Sequence, residues 1–392
     1  MKIAFFSNFL NHHQLPVCQE FLKTEGVEFV FVATEDIGQS RLKMGYEDMN
    51  RLPFVLRAYE GESERQKAMD IAVTYDVVIF GAAPIIYLKN RMKENGLTFR
   101  FCERPLKKGT WRRFIPQTRK RLKETYVQYK DKNFYVLAAS AYTSSDLALC
   151  GFPEKKCFRW GYFPAIKEYN VQKLLEQKKT NDKVEILYAG RLLKLKRVID
   201  TIKALHYLQK KGAHNFHFTI IGEGEEKNNL YKYVKKHNLD KYVEFLPFRS
   251  PESVRKYMER TDIYVFGSNF YEGWGAVVNE AMNSACALVV SHAVGSAAYL
   301  INQNKNGIVY KCGNIKSLAS HLDKLINNED LRLSIGRNAY QTVVSTWTAE
   351  MAVGRFIMLC GQLFKDKNNL SSYSDGPCAR AEIIRNNWVD KK

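Results

Sequence analysis

The run Tyr271-Glu272-Gly273-Trp274-Gly275-Ala276-Val277-Val278-Asn279-Glu280-Ala281 carries the densest chemistry in this 392-residue chain. Its two glycines let the backbone approach a ligand closely. The amides of Gly273, Trp274, Gly275 and Ala276 are expected at a helix N-terminus, where free N–H groups and the helix dipole favour an anion. Glu272 stands just before that helix and Glu280 within it. At about 1.5 Å per residue the two carboxylates lie on the order of 10 Å apart. Two acceptor-only groups at that spacing suit a ligand with hydroxyls on either side of a diphosphate. Either glutamate alone reads as a residue compensating the helix dipole or facing solvent; the surrounding motifs give the pair its meaning.

A second motif is Tyr188-Ala189-Gly190-Arg191-Leu192-Leu193-Lys194-Leu195-Lys196-Arg197. Arg191 offers a bidentate fork to phosphate oxygens, and Lys196 a compact positive charge. A third is the tight loop Gly222-Glu223-Gly224. A lone glycine pair says little. Three such loops at successive strand ends converge on one crevice.

These loops need a scaffold that delivers strand ends side by side. Short β-rich runs at 2–6, 27–33, 54–57, 77–80, 99–102 and 135–138 form one series; runs at 184–188, 217–221, 243–246, 263–266, 287–290 and 307–310 form another. Amphipathic stretches at 12–23, 198–210, 226–237, 251–260 and 276–284 lie between them. Alternating strands and helices predict parallel sheets covered on both faces, with ligands beyond the carboxyl ends of the strands. The polar lysine-rich segment 168–182 separates the series, so a domain of residues 1–165 is expected before a domain of 166–365, with a tail of 366–392 returning to the first.

Bulk properties narrow the class. A hydrophobic fraction of 45% and a charged fraction of 26% are those of a globular protein. The apolar start Met1–Phe6 ends too soon, before Asn8 and His12, for a secretory segment, and a cytoplasmic location is expected. Eight scattered cysteines without a C-x-x-C pair read as buried thiols rather than a zinc site. The net charge of +19 requires an anionic partner. Residues 104–132 hold eleven Lys or Arg against Glu124 and Asp131, a local +9, interleaved with Trp111, Phe114, Tyr126 and Tyr129. Such a stretch suits an anionic membrane surface, with Pro116 breaking any single helix. No nucleic-acid-binding motif accompanies it.

Together, Gly190-Arg191 followed by Lys196, Gly222-Glu223-Gly224, and Glu272-Gly273-Trp274-Gly275 with Glu280 resemble the family 4 retaining glycosyltransferases of the GT-B fold, over roughly residues 184–326. The resemblance implies two Rossmann-like, doubly wound α/β domains facing a central cleft. It implies a hexosyltransferase (EC 2.4 class) that moves a sugar from a UDP- or GDP-linked donor to an acceptor hydroxyl, without a metal or other cofactor. Arg191 and Lys196 would hold the diphosphate, Glu272 and the amides after it the transferred sugar, Glu280 the ribose, and the stretch around Pro247 the nucleobase. The acceptor would be a saccharide or a polyprenyl-diphosphate-linked sugar, as in capsule or surface-polysaccharide assembly, with the enzyme peripheral on the inner membrane face.

The first domain departs from the family pattern: its first strand–helix loop, Ser7-Asn8-Phe9-Leu10-Asn11-His12-His13-Gln14-Leu15-Pro16, lacks the glycine pair of many members. Asn11 is expected to cap the helix, placing His12 or His13 at its positive end as a neutral imidazole able to bond a sugar or phosphate; an ordinary polar loop explains it equally. Gly81, Glu103 and Arg104 follow other strands and are candidate acceptor contacts, with a structural ion pair the alternative for Glu103 and Arg104. Two rival functions share parts of this pattern. A nucleotide-sugar epimerase of related fold needs the donor crevice but no acceptor, and a basic membrane- or nucleic-acid-binding protein needs the charge but not the glutamate pair.

Overall fold

A computed structural model describes residues 1–38, 47–180, 182–367, 370–371 and 373–391. Of the tail, residues 368, 369, 372 and 392 lie outside the described residues. The chain divides into two compact units, one of Met1–Ala165 with Trp347–Arg385, the other of Ile166–Thr346 with Asn386–Lys392.

The first unit is built on a parallel sheet of β1 (Lys2–Ser7), β2 (Glu28–Ala33), β3 (Val55–Arg57), β4 (Val77–Phe80), β5 (Leu97–Cys102), β6 (Phe134–Ala138) and β7 (Cys157–Arg159), in the order β3-β2-β1-β4-β5-β6-β7. The second has β8 (Val184–Ala189), β9 (Phe216–Ile221), β10 (Val243–Leu246), β11 (Ile263–Phe266), β12 (Ala287–Ser291) and β13 (Ile308–Tyr310), in the order β10-β9-β8-β11-β12-β13. All named pairings are parallel. Central strands read as unbroken apolar runs because helices cover both faces: Val77–Phe80, Phe134–Ala138 and Ile263–Phe266 are buried throughout. Strand order reverses at β1 in one unit and at β8 in the other, leaving a crevice beyond the carboxyl ends there.

Local chemistry sets the helix starts. Ser250 accepts from the Ser253 amide ahead of Pro251, Asn314 from Ser317, and Thr348 from Met351, satisfying donors that no helical carbonyl reaches. Asn11, expected as the cap of the first helix, instead accepts from the His13 amide (3.0 Å) and donates to Gln14 Oε1 (2.8 Å). It shapes the turn ahead of the helix Leu15–Lys23, which begins without a side-chain cap. Pro116 starts the helix Pro116–Thr125 rather than interrupting one, since a first-turn residue needs no amide hydrogen.

The helix Ala349–Lys365 groups with the first unit, where Phe356 meets the rings of Phe21 and Phe99 (centroids 5.7 and 4.8 Å). Strand alternation carries the second domain to residue 365 because an apolar helical stripe does not name the sheet it covers. Strand β7 has no sequence signal of its own; three residues become a strand through pairing with β6.

Candidate active site

Strand β8 is central and buried, and its carboxyl end is braced by two phenols. The Tyr264 hydroxyl donates to the Ala189 carbonyl (3.1 Å), and the Tyr188 hydroxyl to that of Arg191 (2.9 Å). Burial pushes both phenols well above their usual range, so each remains a neutral donor. The loop they hold is stitched to the next one by backbone bonds. Gly190 N–H donates to Ile221 (3.0 Å), Leu192 N–H to Glu223 (2.8 Å) and Gly222 N–H to Leu246 (3.1 Å).

This stitching explains two glycines. A Cβ on Gly222 would lie 2.0 Å from the Gly190 carbonyl oxygen, and one on Gly224 2.3 Å from that of Leu192. The immediate demand for glycine therefore comes from the neighbouring loop's backbone. The side chain of Glu223 pairs with Lys227 at 2.8 Å on the surface, and its carbonyl serves the loop contact. Pro247 follows β10 and is exposed, as is Phe248.

Beside this platform, Arg191 is exposed and has no ion-pair partner among the described residues. Lys196 is different: its ammonium group lies 2.5 Å from Glu272 Oε2, with both side chains only about 15% exposed (15% and 14%), and 5.1 Å from the centroid of the Phe266 ring. The Glu272 segment is tied to the Lys196 segment by Asn269, whose amide donates to Leu195 (2.9 Å) and whose carbonyl accepts from Glu272 N–H (3.0 Å). Asn269 carries no motif and could not be singled out from sequence.

The helix after the glutamate motif begins only at Val277. The spacing of ~1.5 Å per residue therefore does not apply to residues 272–276, and the carboxylate separation inferred from a continuous helix does not stand. Gly275 has φ +83°, and a Cβ there would lie 2.8 Å from Phe266 Cε1; only glycine takes that turn without strain. The Trp274 indole is buried and donates to Asn279 Oδ1 (2.9 Å), so this side chain belongs to the core. The amides of Gly273, Gly275 and Ala276 have no acceptor among the described residues.

Glu280 sits in the first turn of that helix, partly exposed, and its carboxylate has no hydrogen-bond partner among the described residues. Burial raises its pKa against the opposing pull of the Arg255 guanidinium. Arg255, another residue without a motif, donates to the Glu280 carbonyl (3.0 Å) and to Asn283 Oδ1 (2.9 Å). A partly exposed carboxylate whose charge burial disfavours, and which no described protein group bonds, is open to a ligand's hydroxyls.

In the first unit the expected residues separate. Gly81, at the switch beside β1, donates its amide to Phe6 (2.7 Å), and a Cβ there would meet Ser7 Oγ at 3.0 Å. The His12 and His13 rings are 3.8 Å apart, and His13 packs edge-on to Tyr162 (5.8 Å). Tyr162 donates to Glu103 (3.2 Å), which lies 3.6 Å from Lys107. Burial, aided by His12, pushes the His13 pKa down to about 3, so the imidazole stays neutral across the physiological range; its Nδ1 is buried without a hydrogen-bond partner among the described residues. Tyr162 joins this group through the fold alone. Arg104 does not join it: it pairs with Asp146 at 2.8 Å, the two side chains 2% and 1% exposed, and Asp146 also accepts from Leu106 N–H. Arg104 is thus a structural ion pair and not an acceptor contact, because breaking a buried pair strands a charge.

Among the described residues, no group of three or more His, Cys, Asp or Glu is placed to hold a metal ion. No single helix there is long and apolar enough to cross a membrane.

Residues 171–342, within the second unit, match the family model described as glycosyl transferases group 1. Over 156 residues the chain is 30% identical to the Campylobacter jejuni GalNAc-alpha-(1->4)-GalNAc-alpha-(1->3)-diNAcBac-PP-undecaprenol alpha-1,4-N-acetyl-D-galactosaminyltransferase, covering 40% of this chain and 42% of that protein. It is 26% identical over 173 residues to the Staphylococcus aureus capsular polysaccharide biosynthesis glycosyltransferase CapM, 44% of each chain. The chain spans less than half the length of these relatives. Anabaena HepE, solved in complex with UDP, matches with a TM-score of 0.70 at 17% identity, covering 93% of this chain and 100% of that one. At that identity the likeness establishes the fold, a two-domain α/β architecture of the GT-B type.

Proposed function

We propose that the chain is a glycosyltransferase that moves a sugar from a nucleotide-diphosphate donor to an acceptor hydroxyl, with retention of configuration as in family 4. The observation that carries this reading is the set of charged groups on the loops around the β8 switch point. Arg191 stands there without an ion-pair partner among the described residues, beside a Lys196–Glu272 pair, and Glu280 is a carboxylate whose charge burial disfavours and which no described protein group bonds. A nucleoside-diphosphate sugar answers all three. Its phosphates take Arg191 and draw Lys196 from Glu272, which then accepts from sugar hydroxyls while Glu280 accepts from the ribose. The loop at Pro247 and Phe248 borders the base. UDP in the HepE structure supports a uridine or similar nucleotide as donor.

In the reaction the anomeric carbon–phosphate oxygen bond breaks and a bond from the acceptor oxygen to that carbon forms on the same face. The acceptor proton passes to the departing phosphate oxygen. Preorganised cations stabilise the charge that develops there, with no cofactor assigned. The His12–His13–Tyr162–Glu103 group of the first unit is assigned to the acceptor, with neutral His13 as a hydrogen-bonding group. The names of the Campylobacter and Staphylococcus relatives support a lipid-linked or capsular saccharide as that acceptor. The basic stretch 104–132 supports a peripheral position on the cytoplasmic membrane face.

Arg191→Ala should reduce kcat/KM by about 10²–10³, with an unchanged circular dichroism melt in the absence of nucleotide. Transfer at near-normal rates in this variant would discredit the site. Incubation with donor alone separates the epimerase reading, which requires an epimerised sugar without acceptor.

A further inference from the structure

The first unit holds a cavity of about 400 Å³ whose described lining is Arg100, Arg104, Pro105, Lys107, Lys108, Arg112, Arg121, Leu122, Thr125 and Tyr126. That volume is in the range of small-molecule sites, ~300–1,000 Å³. Six of these residues are cations and none is a carboxylate. Two have their charge answered nearby: Arg104 by buried Asp146, and Lys107 by Glu103 at 3.6 Å. Arg100, Lys108, Arg112 and Arg121 have no ion-pair partner among the described residues. Arg100 has its Nε buried without an acceptor among the described residues. Cations on a solvated surface would be free to splay apart. Here β5 carries Arg100, the turn Thr110–Phe114 Arg112 and the helix Pro116–Thr125 Arg121, with Lys108 on the loop between β5 and that turn, around one concavity.

Like charges gathered this way repel one another unless an anion is present, and guanidinium forks match phosphate oxygens bidentately. The segment that supplies Arg112 also carries Trp111 and Phe114, 60% and 71% exposed. Their neighbours Arg112 and Arg113 lie over the rings, at 5.7 and 4.4 Å. Exposed large apolar groups beside a basic concavity fit a ligand whose phosphate adjoins an apolar chain.

We propose that this cavity is a second anion site that binds the phosphate or diphosphate group of a lipid phosphate ester, with Trp111 and Phe114 entering the apolar phase beside it. The site is independent of the donor crevice and of what the second unit transfers. The test titrates the full chain with inorganic pyrophosphate by calorimetry in an Arg191→Ala background, which weakens the donor crevice. Lys108→Glu with Arg121→Glu, both exposed and lining the cavity, should weaken binding by roughly tenfold or more. Lys120→Glu with Lys123→Glu makes the same charge change on the helix Pro116–Thr125, at positions that do not line the cavity, and should leave affinity within about twofold. Equal weakening by both pairs, or no weakening by the first, overturns the site. A second arm uses phosphatidylcholine vesicles with and without polyprenyl phosphate. Trp111→Ala with Phe114→Ala should abolish binding to the lipid-phosphate vesicles while sparing pyrophosphate. Pyrophosphate binding with no preference for those vesicles overturns the lipid assignment and leaves a soluble phosphate as the ligand.

Discussion

Glu280 shows how a single residue trades stability against binding. Burial raises its pKa, so the folded chain holds that proton more tightly than the unfolded one. The stability it contributes is full below the ordinary carboxylate value and lost as pH rises through the raised one. Glu280→Gln should remove this dependence and raise the thermal midpoint of the nucleotide-free protein at neutral pH. The same change removes a charged acceptor, so nucleotide-sugar affinity should fall by roughly 10- to 100-fold. In the parent, affinity should decline as pH falls through the raised pKa. Calorimetric melts with titrations across pH check both; a variant that neither gains stability nor loses affinity contradicts the assignment. The residue type was legible in sequence, whereas the burial that raises its pKa required the packing around it.

At the level of elements, glycine usage records which backbones touch. Gly222 has φ +148° and stands against the Gly190 carbonyl at 2.0 Å from its would-be Cβ. Gly222→Ala must separate the loops after β8 and β9, at a cost of ~2–4 kcal/mol. The expected result is a lower denaturant midpoint together with lost nucleotide binding, since Arg191 rides on the displaced loop. A variant that binds nucleotide normally would show that the loop contact does not position Arg191. The glycines are visible in sequence as a motif, and a motif invites a ligand-based explanation. Only the strand order β10-β9-β8-β11 reveals the neighbouring loop as their nearest constraint. Arg104 teaches the converse: its place after β5 is readable, but its partner Asp146 is forty-two residues away and chosen by the fold.

For the whole molecule the governing quantity is a net charge of +19, of which residues 104–132 supply +9. Attraction between exposed charges is screened over a Debye length of ~10 Å at 0.1 M salt and ~3 Å at 1 M. Co-sedimentation with anionic vesicles should therefore be strong at low ionic strength and fall steeply with salt, while neutral vesicles retain little protein. Sedimentation that ignores lipid charge would reject the peripheral membrane position. A nucleotide sugar should add stability by mass action, about 2.7 kcal/mol at a hundredfold excess over Kd.

Sequence by itself determined the two series of parallel strands apart from β7, the glycine-bearing loops at 190, 222 and 273, and the basic stretch, because hydrophobic period, glycine and charge are local properties. Tertiary structure alone decided that Lys196 closes on Glu272, that Arg104 is spent on Asp146, that Tyr162 joins His13 to Glu103, and that the helix Ala349–Lys365 groups with the first unit. Those outcomes depend on which side chains meet across long separations, and a partner chosen by packing leaves no mark at either of the positions it joins.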